Sequence, residues 1–301
     1  MGDIHMETGN SRKSLISLTA SMVIFGTIGI FRRNIQLSSS MIALLRAVIG
    51  VTFLLVVLRV SGKRLDRAAI RKNMRMLVLS SGLMGLNWIL LFEAYRYTSV
   101  ATATLCYYME PIILVLLSPA LLGERLTKKK VACVLVALLG MVLVSGVLEA
   151  GFTGGSEIKG VLFGLGAALL YASVILINKR LHGIGAYDKT IMQLGLAAAM
   201  LLPYTLLTGE FSMHMDASSA VMMALVGVVH TGFAYCMYFG SIGGLRAQTV
   251  ALLSYIDPVV AIVLSALLLG ESMTVAGVIG AVLVLGATIV SELPERTKEE
   301  N

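Results

Sequence analysis

The chain has 301 residues, 57% of them hydrophobic and 14% charged. A soluble domain carries roughly 45–50% apolar and about 25% charged residues, so the composition excludes a soluble globular protein and indicates an integral membrane protein. The net charge of +7 does not point to nucleic acid, because the Lys and Arg residues stand between apolar runs rather than on a soluble face.

The polar, acidic start MGDIHMETGN lacks the basic opening and small-residue cleavage site of a signal peptide. It also misses the myristoylation pattern, since Met6 stands where Ser or Thr is needed. Residues 1–13 are expected to be a tail. A membrane-spanning helix needs about 20 mostly apolar residues, and ten stretches qualify. The first is 14–31 and the second, 39–59, carries Arg46. A basic connection, 60–74, leads to the third, 75–95, with Asn87, Trp88 and Glu93. The fourth, 99–121, holds Tyr108, Glu110 and Pro111, and the fifth is 130–148. A Gly-rich linker, 149–158, precedes the sixth, 159–178, with Tyr171. The seventh, 188–208, has Gln193 near the place where the second has Arg46. The eighth, 217–239, carries His230 and Tyr235, and the ninth, 246–269, carries Tyr255, Asp257 and Pro258. The tenth, 273–292, precedes a tail, 293–301, that opens on Pro294. Cys106, Cys133 and Cys236 are odd in number and far apart, so they predict buried small residues rather than disulfides.

With the N-terminus placed in the cytoplasm, 19 Lys and Arg residues fall on the cytoplasmic side and four on the outer side. That bias predicts both termini in the cytoplasm.

One segment occurs almost twice. Leu105 to Thr127 reads LCYYMEPIILVLLSPALLGERLT and Leu252 to Thr274 reads LLSYIDPVVAIVLSALLLGESMT, 147 residues on, with ten of 23 positions identical. Gly85 and Gly232 share that offset, and 22–34 resembles 168–180 at an offset of 146. Two halves, 14–148 and 159–292, then hold five spans each. An odd number of spans starts the second half from the opposite face, so the repeat is inverted, with substrate sites expected near the midplane between halves. The predicted class is an all-α membrane protein of ten transmembrane helices in two inverted five-helix repeats.

Ten spans, five-helix halves and P-x(11)-G-E in both halves resemble the EamA branch of the drug/metabolite transporter superfamily. The motifs are EPIILVLLSPALLGERLT and DPVVAIVLSALLLGESMT, and Arg46 fits the family's habit. The resemblance implies a bundle without a nucleotide-binding domain that moves small metabolites, often outward. It also implies that spans one to four and six to nine line a cavity, with five and ten packed behind. Ala276, Gly277, Gly280, Gly286 and Ala287 in span ten suit such packing.

Ionisable residues inside spans cost about 2.5–3.5 kcal/mol each on insertion scales, so they face partners or water. Here they are Arg46, Glu93, Glu110, His230 and Asp257. Glu110 and Asp257 lie mid-span, each followed by proline, which removes an N–H and frees a carbonyl one turn back. Carboxylate and freed carbonyl together suit a cation, an ammonium group or a proton. Tyr108, Tyr255, Asn87, Trp88, Tyr171 and Tyr235 are the candidate walls, and rings beside acids favour an amine through cation–π contact. His230 is a candidate proton carrier. Glu93, a turn from the end of its span, and Arg46 are secondary candidates. Glu124 and Glu271, in the repeated G-E-x-x-T, are expected to do turn work, with Thr127 and Thr274 as helix caps.

The expected function is proton-coupled export of a small amine or amino-acid-like solute by a monomer in the cell membrane, with no cofactor and no metal. The alternatives are an importer or uniporter of an organic cation such as choline, and a receptor or structural membrane protein. An embedded enzyme would need a nucleophile–base set or a metal cluster. His5, His182, His214 and His230 do not form one, since only His230 is mid-span.

Overall fold

The structure, a computed structural model, describes residues 2–32, 34–98, 100–144, 156–211, 215–269 and 274–293. Among them the chain is helical, and helix covers each of the ten stretches expected to span. These are α1 (Gly2–Gly26, continued by Ile28–Arg32), α2 (Ser39–Val60), α3 (Arg67–Tyr97), α4 (Val100–Tyr107 and Glu110–Leu122) and α5 (Lys128–Val144). The second half supplies α6 (Ser156–Lys179), α7 (Ala186–Leu207), α8 (Ala217–Leu225, Val226–Phe233 and Ala234–Ile242), α9 (Ala247–Ser254 and Ile256–Leu269) and α10 (Val275–Glu292). Eight are long and apolar enough to cross a membrane, while α5 and α10 are the shorter pair.

Residues 2–13 are helical and run into the first span as the polar start of α1. The basic connection is shorter than 60–74, because α3 begins at Arg67, where the Asp66 carboxylate accepts from the Ala69 N–H over 2.9 Å. At 1.5 Å per residue, α3's 31 residues reach about 46 Å, so its basic first turns extend beyond a hydrocarbon layer of about 30 Å. Finally, α8 is not uniform: Val226–Phe233 is a π-helix, and the Thr231 hydroxyl bonds the Val226 carbonyl five residues back.

The proline motifs interrupt their helices as the missing N–H requires. The first half breaks at Tyr108–Met109 and restarts at Glu110, and the second breaks at Tyr255 and restarts at Ile256. Helix α4 then ends at Gly123, whose φ of 68° is the left-handed conformation that glycine adopts without a Cβ clash. The caps sit where the sequence puts them: Thr127 Oγ1 accepts from the Lys130 N–H and Thr274 Oγ1 from the Gly277 N–H.

The largest interfaces join one half to the other. Helix α3 packs along α6, as α8 does along α1, and α7 lies on α3 as α2 lies on α8. Helix α4 meets α6 as α9 meets α1, while α2–α7, α4–α9 and α5–α10 pair with their own counterparts. Exchanging the halves maps this set of interfaces onto itself, so a pseudo-two-fold axis relates them and neither half has its own core.

The α5–α10 pair rests on small residues. A Cβ on Gly280 would lie 2.5 Å from the Gly140 carbonyl oxygen, and one on Gly140 would lie 2.7 Å from that of Gly280. Backbones this close leave no room for any other side chain. Gly286, expected in the same contact, faces open space.

Candidate functional site

The two interrupted helices meet near the axis. Glu110 is buried, and among the described residues its Oε1 has no hydrogen-bond partner. Asp257 is half-buried, and α1 runs hard against its backbone: a Cβ on Gly26 would lie 2.6 Å from the Asp257 carbonyl oxygen. Each acid is within electrostatic reach of the other repeat's tyrosine, Glu110 of Tyr255 and Asp257 of Tyr108. In the turn before Glu110 the Tyr255 hydroxyl donates to the Tyr108 carbonyl oxygen over 3.1 Å, one residue beyond the Tyr107 carbonyl that Pro111 leaves without its helical donor.

A belt of rings surrounds the break in α4. Tyr171 of α6 stacks on Tyr107 at 5.9 Å and on Tyr238 at 6.5 Å between centroids. Tyr238 meets Tyr235 edge-on, and Tyr235 packs on Phe25 of α1 and on Trp88 of α3. The expected Tyr108, Tyr171, Tyr235 and Trp88 are thus brought together, while Tyr107, Tyr238 and Phe25 are additions. Two of these had signals in the sequence. Tyr238 follows Tyr235 by three residues, so both share a helix face, and Phe25 is the repeat counterpart of Tyr171 at the 146 offset. Tyr107 has Ser254 as counterpart and gave no such sign.

Arg46 closes the other side of the belt. Its guanidinium lies 4.7 Å above the Trp88 ring and reaches the Tyr235 hydroxyl at 3.4 Å, while its buried Nε has no partner. This is a cation held by ring faces rather than by an acid. Among the described residues no carboxylate pairs with it, so it differs there from an internal ion pair.

His230 sits in the π-helix against Phe31, with centroids 5.0 Å apart. Its Nε2 is 2.7 Å from the Thr27 hydroxyl, which itself donates to the Ile24 carbonyl. The direction of the Nε2–Thr27 bond follows the ring's tautomer, and the other side of the ring faces the Leu225 backbone.

The remaining candidates do other work. Asn87 donates to the Ala167 carbonyl over 2.6 Å, fastening α3 to α6, and its Oδ1 is buried without a partner. Glu93 accepts from the Tyr204 hydroxyl at 2.6 Å and pairs with Arg96 at 3.1 Å, so it is engaged near the end of α3 and apart from the ring belt. Glu124 is not confined to its own turn. It accepts from the Ala247 N–H at 2.8 and 3.0 Å and lies 3.5 Å from Lys179 Nζ, capping α9 from the other repeat. Glu271 lies outside the described residues. A further cluster was missed: Asn178 and Gln193 both donate to Ser80 Oγ, at 3.0 and 2.6 Å, joining α6, α7 and α3. Cys106, Cys133 and Cys236 are free thiols.

Repeated halves interlocked about an axis, with a buried carboxyl and a guanidinium that each keep one atom without a partner among the described residues, are the architecture of a membrane transport protein. The chain belongs to the EamA-like transporter family, whose description matches it twice, at residues 12–146 and 158–292. It is thus a member of the drug/metabolite transporter superfamily. It is 28% identical over 275 residues to the uncharacterized transporter YxxF of Bacillus subtilis, covering 90% of this chain and 86% of that one. It is 26% identical to an uncharacterized transporter of Archaeoglobus fulgidus, covering 91% and 94%. Protein PecM of Dickeya dadantii is 25% identical over 72% of each chain. A solved crystal structure shares the fold at a TM-score of 0.85 and 22% identity, covering 96% of this chain and 99% of that one.

Proposed function

We propose that the protein is a secondary active transporter that exports a small amine or amino-acid-like metabolite by alternating access, in exchange for protons. The observation that carries this reading is the buried, unpartnered Oε1 of Glu110 beside the ring belt. A carboxyl group held without a partner inside a membrane protein costs several kcal/mol when charged. It is retained where a proton or a solute ammonium group completes it. Arg46, unpaired on the far side of the belt, supports a solute with an acceptor group as well. In this reading all ten helices span, the 19-to-four bias of basic residues sets both termini in the cytoplasm, the protomer acts alone, and the membrane is the cell membrane. Glu110 and Asp257 carry the exchange. Asp257 and His230 exchange protons with one face, and the rings hold the apolar body of the solute.

A second reading, uptake or facilitated passage of an organic cation such as choline, is favoured by the density of rings near Glu110. Quaternary ammonium groups are bound by such faces. The purified protein in proteoliposomes separates the two. Uptake of a panel of amino acids, amines and choline is measured with and without a pH gradient. Export by proton exchange predicts accumulation of at least one amine-bearing solute that collapses with the gradient. Gradient-independent choline uptake alone favours the second reading.

A further inference from the structure

Tyr108 and Tyr255 are the same position of the two repeats, 147 residues apart, and they touch. Contact between two equivalent residues occurs only where the halves meet at their exchange axis. The contact is one-sided. The Tyr255 hydroxyl, fully buried, donates to the Tyr108 carbonyl in the turn that leads into Glu110. The reverse bond, from the Tyr108 hydroxyl to the Tyr255 carbonyl, is not formed among the described residues. That second carbonyl lies in the matching break before Asp257.

One end of the bundle is also fastened. There Glu124 at the end of α4 holds the Ala247 N–H at the start of α9, and Lys179 of α6 reaches both Glu124 and the Leu245 carbonyl. Gln248 adds bonds to Ser118 Oγ and to the Arg125 carbonyl. The one-sided tyrosine contact and this fastened end therefore belong to one conformer.

In a transporter built from pseudo-symmetric halves, the opposite-facing conformer arises when the halves exchange conformations. A one-sided contact on the axis then reappears reversed. We propose that Tyr108 and Tyr255 are a reciprocal pair of positioning residues. The Tyr255-to-Tyr108 bond holds the turn of Glu110 while the Glu124 end is closed. The Tyr108-to-Tyr255 bond holds the turn of Asp257 when that end is open. The pair presents one acid at a time, and neither hydroxyl is primarily a solute ligand. This rests on the alternating-access reading, and it adds which contact defines each state.

The test needs no solute. Hydrogen exchange is followed in the full chain in lipid nanodiscs, reading the amides around Ala247 that the Glu124 end protects. Tyr255→Phe removes a bond of the closed state, so these amides exchange faster by about fivefold, the size of one net hydrogen bond. Tyr108→Phe removes a bond of the open state only, so they exchange more slowly by a similar factor. Phe keeps the ring, and the thermal midpoint in the same nanodiscs checks the fold. If Tyr255→Phe does not fold, Tyr108→Phe alone still carries the sign: slower exchange supports the pair, and unchanged or faster exchange overturns it. Shifts of the same direction in both variants, or none in either, also overturn it. With no solute present, failure of the proton or amine assignment leaves this outcome untouched.

Discussion

The α5–α10 pair and the α4–α9 pair are both repeat counterparts meeting at the axis, yet they are built oppositely. At the rear, Gly140 and Gly280 bring two unbroken helices into backbone contact, and the polar bonds of the pair lie at its end, from Lys130 Nζ to Ser291 Oγ and from Lys129 Nζ to the Leu293 carbonyl. At the centre, two broken helices meet through a tyrosine hydroxyl and a carbonyl, beside the Glu110 carboxyl, whose Oε1 has no partner among the described residues. The same duplication thus yields one interface that tolerates no change in separation and one whose partners are exchangeable. The lesson is that small residues mark where a transporter is fixed, and interrupted helices with spare polar atoms mark where it works.

Variants at the two pairs should therefore fail in different ways. The largest effect is expected from Gly280→Leu, whose Cβ alone falls 2.5 Å from a backbone oxygen. Overpacking of this kind costs about 1–3 kcal/mol or more. A clear drop in thermal midpoint in detergent is expected, with transport lost in proportion to folded protein.

Arg46→Met should do the reverse. It keeps a long side chain against Trp88 and removes a buried unpartnered nitrogen, so the midpoint should hold or rise. Solute transport in proteoliposomes should fall by at least about tenfold, the value of one lost charge-assisted contact. A fall in stability without a transport defect would reassign Arg46 to the scaffold.

Glu124→Ala is expected to sit between the two. It leaves the Ala247 N–H without its acceptor and Lys179 without its acid. Loss of a hydrogen bond to a charged group costs about 1.5–3 kcal/mol. The same bonds fasten one conformer, so faster exchange of the Ala247 amide should accompany the lower midpoint.

The smallest effect concerns the Asp216 cap of α8, which accepts from the Ser219 N–H at 2.8 Å. That bond holds its carboxyl below the ordinary carboxylate range. Its support of the folded state is therefore complete above the unfolded pKa and fades as pH falls through the lowered folded value. Asp216→Ala should remove this small acid-side slope in the midpoint and leave the midpoint's slope at neutral pH unchanged.

The sequence made the spans and the repeat legible because both are written in composition. Apolar runs locate helices, and identical motifs locate counterparts. It also brought Glu110, Tyr108 and Tyr255 to notice, since a prolyl N–H is absent whatever the surroundings. Three features were not legible. The first turns of α3 are basic like a loop, and only the Asp66 cap marks their helical start. The π-helix of α8 has no proline or motif to announce it. The role of Glu124 depends on which residue lies opposite in another half, 123 positions away, and local capping chemistry cannot reveal that. The bond to the Tyr108 carbonyl was hidden for a similar reason: its donor is the counterpart tyrosine, supplied by the fold.

Coupling of solute movement to protons by the two axis carboxylates is tested by gradient-driven uptake in proteoliposomes containing Glu110→Gln with Asp257→Asn, beside the parent chain at matched thermal midpoint. The double variant is expected to fold and to lose gradient-driven accumulation together with its pH dependence. Transport and pH dependence surviving intact would remove Glu110 and Asp257 from the coupling.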